Sequence, residues 1–315
     1  MNRLTETKII LVVRATRLAD LKARFATKEQ ARFYVSSLGG DFREYEEEDA
    51  NYQRAIAEAQ QTLSMLGRVQ AVQRTFLPNF VFGKEDVVVA LGQDGLVANT
   101  LKYLSGQPLV GVNPDPKRWD GQLLPFQVSQ LDKVMREVLR GGRRTRSVTM
   151  AEAALNTGLS LCAVNDLFIG MRSHGSARYR IAQGRFTEHH SSSGVVVSTG
   201  LGSTGWFKSL MTGAASVAAA AGHVPKAMLD WPKKMQFTWE SEHLFYTVRE
   251  PFPTSTTGTS LVFGKVTKGD PLVIESQMGE DGVIFSDGIE QDFVEFNSGT
   301  RATITLAQRK GRVVV

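Results

Sequence analysis

Hydrophobic positions along the first 140 residues alternate between two periods. Ile9 to Val13 is an unbroken apolar run and predicts a buried strand. Behind Thr27-Lys28-Glu29-Gln30, which has capping-box spacing, Ala31, Tyr34, Val35 and Leu38 recur at helical intervals until Gly39-Gly40 ends the pattern. Tyr52, Ile56, Ala59, Leu63 and Leu66 form a second helical stripe that stops at Gly67. The acids before it, Glu46, Glu47, Glu48 and Asp49, are expected to form a solvated helix start, favoured by the positive end of the helix dipole. Asp86 to Leu91 then predicts a buried strand, Gly92-Gln93-Asp94-Gly95 a turn, Leu96 to Leu104 a helix, Pro108 to Val112 a strand and Gln127 to Leu139 a helix. Strands and helices in alternation build a mostly parallel sheet covered by helices.

From about Thr145 the pattern changes to short alternating segments: Leu161 to Ile169, Val195 to Thr199, Gln236 to Glu240, Phe245 to Val248 and Ala302 to Leu306. They predict a β-sandwich interrupted by one Ala-rich helix from about Thr204 to Ala221. The expected fold class is therefore α/β plus all-β, with a Rossmann-like domain over residues 1–144 and a β-sandwich domain over 145–315.

Composition narrows the function. The longest apolar stretches fall far short of the roughly 20 residues a membrane helix needs, so no membrane span is expected. The amino terminus lacks a secretory pattern, which points to the cytoplasm. Cys162 is the only cysteine, so neither an internal disulfide nor a thiolate metal cage is available, and no metal site is expected from protein side chains. Its neighbours Leu161, Ala163 and Val164 predict a buried, inert thiol. A formal net charge of +5 favours an anionic partner. The densest basic patch, Arg140, Arg143, Arg144 and Arg146, has no interleaved aromatics for base stacking and reads as a solvated inter-domain link, not a nucleic-acid surface.

Three segments carry candidate chemistry. Gly92-Gln93-Asp94-Gly95 joins a buried strand to a helix; glycines there let the backbone approach a phosphate or ribose, and the helix start offers N–H groups to an anion. Asp94 lies at the carboxyl end of a parallel strand, where open α/β sheets bind ligands, although an Asp-Gly pair also simply makes turns. In the run from Ser193 to Trp206 a buried strand feeds a loop of glycines and hydroxyls, Thr199 to Gly205, that opens the Ala-rich helix. Such a loop either caps the helix or holds a nucleotide through amides and hydroxyls, and Gly200, Gly202 and Gly205 favour the second. In the third segment, Asn165 and Asp166 break the apolar run from Ala163 to Gly170, and buried polar groups persist only with partners, protein or ligand.

Together these segments resemble the NAD kinase family, whose members carry a Gly-Gly-Asp-Gly-Thr loop, an Asn-Glu pair and a Gly/Thr/Ser-rich segment opening a helix in a sandwich domain. Gly111 to Pro116, Asn165 to Gly170, Ser192-Ser193-Gly194, Arg249-Glu250-Pro251 and Ser286-Asp287-Gly288 look like segments of the mitochondrial-type branch and its bacterial relatives, in the same order. The resemblance implies ATP-dependent phosphorylation of the adenosine-ribose 2′-hydroxyl of NAD to give NADP, with Mg²⁺ on the phosphates. By resemblance, Asp94 contacts that hydroxyl as the catalytic carboxylate. Gly92 and Gly95 admit phosphate, Asn165 and Asp166 grip the adenosine, Thr199, Thr204, Gly205 and Trp206 line the dinucleotide pocket, and Asp287 adds a further contact. It also implies a homodimer or homotetramer whose pocket is completed across subunits, with Ser193 where many members carry an acid.

The chain departs from the family at Gln93, where a second Gly is usual, at Leu96 for Thr and at Asp166 for Glu. A side chain at Gln93 is expected to obstruct phosphate or to force different backbone angles, and Leu96 removes a hydroxyl. Dinucleotide binding is therefore expected to be better kept than ATP use. Two alternatives stay open: a non-catalytic NAD(H)- or NADP(H)-binding protein of the same fold, and a kinase for a lipid or sugar hydroxyl, since diacylglycerol kinases and phosphofructokinases share a similar loop.

Overall fold

Strands β1 (Lys8–Val13), β2 (Arg68–Gln73), β3 (Val87–Leu91) and β4 (Pro108–Asn113) pair in parallel in the order β2-β1-β3-β4. β1 and β3 are buried along nearly their whole length, which is why both read as continuous apolar runs: helices cover both faces of a parallel sheet. In this computed structural model, which describes residues 3–222 and 230–315, β5 (Phe126–Gln127) pairs with β4. The C-terminal strand Gly311–Val314 also adds to β4 in parallel, and β6 (Thr145–Val148) forms the far edge. Arg312–Val315 thus belong with the unit that ends at Arg146, and residues 147–311 form the other unit. A contiguous division at 144/145 does not anticipate that return, because four residues of strand carry no mark of which sheet they will join.

The helices are α1 (Arg17–Phe25), α2 (Lys28–Ser37), α3 (Phe42–Leu66), α4 (Asp94–Leu101) and α5 (Leu131–Leu139). α2 starts where expected, the Thr27 hydroxyl accepting the Gln30 N–H, but α1 precedes it unannounced, capped by Thr16. Leu38, counted in the stripe of α2, is 71% exposed. The acidic run corrects an expectation more instructively. α3 begins at Phe42 behind an Asp41 cap, so the four acids lie inside the helix, and Glu48 is buried. Arg14 and Arg17 reach it at 2.9 and 2.5 Å. Burial opposes its charge, and the two guanidiniums outweigh burial and hold the carboxyl below its ordinary value. Charge pattern alone cannot reveal partners more than 30 positions away. Before α5, Gln127 and Gln130 form a capping box around a 3₁₀ turn, so the α-helix begins four residues later than the apolar pattern suggests. Arg143 of the basic patch donates to the Val315 carbonyl (3.0 Å) and pairs with Glu137, fastening the C-terminal strand.

The second unit is a sandwich of two antiparallel sheets. β7 (Ala151–Leu155), β8 (Ser160–Ala163), β10 (Ala177–Gln183), β11 (Phe186–Ser192), β15 (Leu272–Ser276) and β18 (Arg301–Leu306) form one, in the order β11-β10-β15-β18-β7-β8. β9 (Asp166–Met171), β12 (Val195–Ser198), β13 (Leu244–Val248), β14 (Phe263–Val266), β16 (Gly282–Ser286) and β17 (Ile289–Glu295) form the other, ordered β14-β13-β12-β9-β16-β17. Their inward residues, among them Leu167, Ile169, Tyr179, Ile181, Val197 and Ile304, share one core. The Ala-rich helix α6 (Trp206–Ala220) packs Trp206 and Leu210 against Phe168, Val196 and Val283 on the outer face of the second sheet.

Three expectations change here. Leu161 to Ile169 is two strands, split at Val164-Asn165. Gln236 to Glu240 is irregular chain ending in a turn: the Phe237 carbonyl accepts the Ser203 hydroxyl of the loop before α6, and the Trp239 carbonyl accepts the Thr149 N–H. Cys162 is half-buried, because β8 alternation sends Leu161 and Ala163 into the core and the thiol the other way. Burial still pushes that thiol up, against the pull of Arg309, which keeps it a poor nucleophile. No helix among the described residues is long and apolar enough to cross a membrane.

Candidate functional site

The Gly92–Gly95 loop sits at the carboxyl end of β3. Gly92 donates its N–H to the Val112 carbonyl (3.1 Å), and a Cβ on it would lie 2.8 Å from the Leu96 side chain. Gly92 therefore makes room for Leu96, which is only 2% exposed: the position that lacks a hydroxyl is filled by a packed side chain. Gln93 caps α4 with its carbonyl, accepting from Leu96 N–H at 2.8 Å, and its φ of −114° and ψ of 165° are extended values any residue adopts. Gln93 thus sits without backbone strain. Gly95 is exposed, with open space where a Cβ would stand, and no side chain caps this helix start.

Asp94 is the first residue of α4. Its Oδ1 accepts the Leu123 N–H (2.7 Å) and its Oδ2 the Gln122 N–H (3.2 Å). That loop reaches Asp94 because it crosses directly over β4 at Gly111, where any Cβ would collide with the Leu123 carbonyl. Asn113 shapes the loop's start, donating to the Trp119 carbonyl and accepting the Asp115 N–H. Sequence reasoning missed these anchors, which are backbone groups; Gly111 was their one visible trace. Beside the loop lies a cavity of about 610 Å³ at the carboxyl ends of β1 and β2, lined by Arg14, Thr16, Gln53, Gln73, Arg74 and Gln93 among others. Its position is where open α/β sheets bind ligands; Arg14 is already paired with Glu48, which leaves Arg74 as the cation of a lining that also holds Asp20.

In the sandwich, Asp287 holds the turn between β8 and β9. With Gly288 it makes the tight β16–β17 turn, both residues having positive φ (56° and 71°), a conformation Asp tolerates and Gly favours. From there its carboxylate accepts the N–H groups of Val164 (3.0 Å), Asn165 (2.6 Å) and Asp166 (3.4 Å). Thr199 grips the same turn from the other side: its hydroxyl donates to the Val164 carbonyl (2.5 Å) and its N–H to the Asn165 carbonyl (2.9 Å). Gly202 packs so closely on this turn that a Cβ would strike the Asn165 carbonyl and Asp166 Oδ1, and one on Gly200 would strike the Thr238 carbonyl. Those two glycines serve backbone packing within the protein, the alternative to close approach of a nucleotide.

The consequence is a backbone held from both sides, with the Asn165 amide unbonded among the described residues and the Asp166 carboxyl bonded through one oxygen only, to Ser198. Asn165 is half-buried, and Asp166 Oδ1 is buried without a partner. Burial pushes the Asp166 carboxyl up to about 7, with the Ser198 hydroxyl pulling it down and the Asp287 charge pushing it further up. Near neutrality it can therefore donate or accept, beside an amide that does both: a set suited to hydroxyl pairs or a base edge. Thr204 and Gly205 are exposed, while Trp206 is half-buried and stacks on Phe168 at 5.8 Å beneath the Arg249 guanidinium. Among the described residues there is no cluster of three or more His, Cys, Asp or Glu able to hold a metal ion.

Asp166 supplies a direct prediction. Its folded pKa lies above the unfolded value, so its contribution to stability is full below about pH 4 and is lost as pH rises through about 7. In the ligand-free protein, the melting temperature of the wild type should fall relative to Asp166→Asn across that window. A difference between the two that does not change with pH would refute the uncompensated burial of Asp166.

No protein-family model matches this chain, and no curated protein does either. Solved structures do match. An NAD kinase from Archaeoglobus fulgidus in complex with ATP aligns with a TM-score of 0.57 over 98% of this chain and 94% of its own, at 15% identity. Yeast NADH kinase complexed with NADH aligns with a TM-score of 0.56 over 99% of this chain and 84% of its own, at 14% identity. The chain shares the fold of these kinases.

Proposed function

We propose that this chain binds a nicotinamide dinucleotide and phosphorylates the 2′-hydroxyl of its adenosine ribose with ATP, as an NAD kinase. The observation that carries the reading is the Asn165-Asp166 turn: its backbone is fully bonded within the protein, yet both side chains keep capacity for a ligand. Solved structures that share the fold include ones holding ATP and NADH, and we assign the adenosine to this turn.

Each residue's part follows from its bonds. Asn165 and Asp166 hold the adenosine, and Trp206 offers a ring braced on Phe168. Asp94 accepts one N–H on each carboxylate oxygen, and each oxygen has a further lone pair with which to orient the attacking hydroxyl and take its proton. The open start of α4 at Gly95 presents N–H groups to phosphate. Mg²⁺ carried on the ATP phosphates would neutralise their charge.

A second reading, a dinucleotide-binding protein without turnover, is favoured by Leu96, whose burial leaves no hydroxyl at the phosphate loop. Calorimetric titration with NAD, NADH, NADP and ATP, followed by assay of ATP-dependent product, separates the two. The expected result is tighter binding of a dinucleotide than of free ATP, together with turnover. Dinucleotide binding without turnover selects the second reading. ATP binding with no response to any dinucleotide overturns both and leaves a kinase for another hydroxyl.

A further inference from the structure

β11 is the edge strand of its sheet, and the segment following β13 covers that edge. Two backbone bonds tether it: Phe252 N–H to the Ser191 carbonyl and Gly258 N–H to the His189 carbonyl, each 2.9 Å. Between the tethers the chain swings away as a turn closed on itself, the Thr254 hydroxyl accepting the N–H groups of Thr256 and Thr257 at 3.1 Å. The turn needs nothing from the strand beneath it, and a cavity of about 590 Å³ remains between them.

The chemistry of its walls is one-sided. Ser191 on β11, Arg178 on β10 and Gln277, the residue after β15, lie side by side on the face turned away from the core. Arg178 is exposed and has no acid partner among the described residues. His189 follows on the same face, one ring nitrogen held by the Gln277 amide at 3.1 Å and the other left over. The Thr256 hydroxyl closes the cavity from above. No carboxylate is among the lining residues. The nearby acids are engaged elsewhere: Glu188 by His190 and the amides of Ser260 and Leu261, Glu275 by Arg180.

A cavity of ligand size that carries a guanidinium, an imidazole, an amide and hydroxyls, without a carboxylate, is built for an anion. We propose that it binds a phosphate-bearing small molecule whose phosphate sits on Arg178 and His189. It shares no residue with the Asn165-Asp166 turn or the Gly92–Gly95 loop, so it does not rest on the kinase reading.

Inorganic pyrophosphate is the probe, and the proton resonances of the His189 ring, assigned with His189→Gln, are the readout on the full chain. Pyrophosphate should shift these signals along a saturating curve, and Arg178→Ala should raise the concentration needed at least tenfold with melting temperature unchanged. Arg185→Ala, in the turn at the far end of the same hairpin, should leave the curve as it is. No shift at millimolar pyrophosphate, an unaltered curve in Arg178→Ala, or an equal loss in Arg185→Ala would overturn the proposal, the last by revealing diffuse charge attraction.

Discussion

An Asp94→Asn protein is expected to lose about 10²- to 10⁴-fold in phosphoryl transfer, the usual cost of removing a positioned general base. Stability should fall as well. The carboxylate accepts two backbone N–H groups, one on each oxygen, and an amide offers one acceptor and turns a donor toward the other N–H. The hydrogen bond from Gln122 is exposed and that from Leu123 only partly buried, so the loss is about 0.5–1.5 kcal/mol and a melting point lower by a few degrees is part of the same prediction. Dinucleotide affinity should change little, because Asn165, Asp166 and Trp206 do not depend on Asp94. Calorimetric titration keeps the chemical role apart from the anchoring role: the variant should still bind the dinucleotide while its turnover is lost. Full turnover by a destabilised Asp94→Asn would leave Asp94 as an anchor of the 121–124 loop and nothing more.

Replacing Asp287 by Ala should act on binding first. The change leaves the N–H groups of Val164, Asn165 and Asp166 without their shared acceptor and puts Ala at a φ of 56°, which suits it poorly. The two effects together are expected to cost about 3 kcal/mol of stability and to loosen the turn that presents the adenosine grip, weakening dinucleotide binding at least tenfold. Asp287→Asn, which tolerates the left-handed backbone and keeps one acceptor, should fall between the two. Wild-type affinity in a folded Asp287→Ala protein would show that the turn does not make the binding site. The resemblance gave Asp287 a direct contact with the ligand; its bonds support the different role of positioning the residues that make the contact.

Much of this was legible in the chain. The apolar runs at Ile9 to Val13 and Val87 to Leu91 marked strands buried on both faces, and the alternating segments after Thr145 marked a sandwich, because burial on one face or two leaves a period in the sequence. Asn165 and Asp166 were visible as polar residues inside an apolar run, Asp94 as the acid of a glycine turn after a buried strand, and Thr27 as a cap, since each signal is local.

What the sequence by itself determined is the type of each long element and the places where polar chemistry interrupts the apolar pattern. The tertiary structure alone decided the partners: Arg14 and Arg17 on Glu48, Gln122 and Leu123 on Asp94, Asp287 on the Val164–Asp166 amides, Gly202 against Asp166, and the C-terminal strand beside β4. The reason is physical. Periodicity and capping act over a few residues and are written where they act. The desolvation of Glu48 and Asp166, and the backbone groups that satisfy a carboxylate, depend on which segments the fold brings together across distances from about thirty positions to more than a hundred.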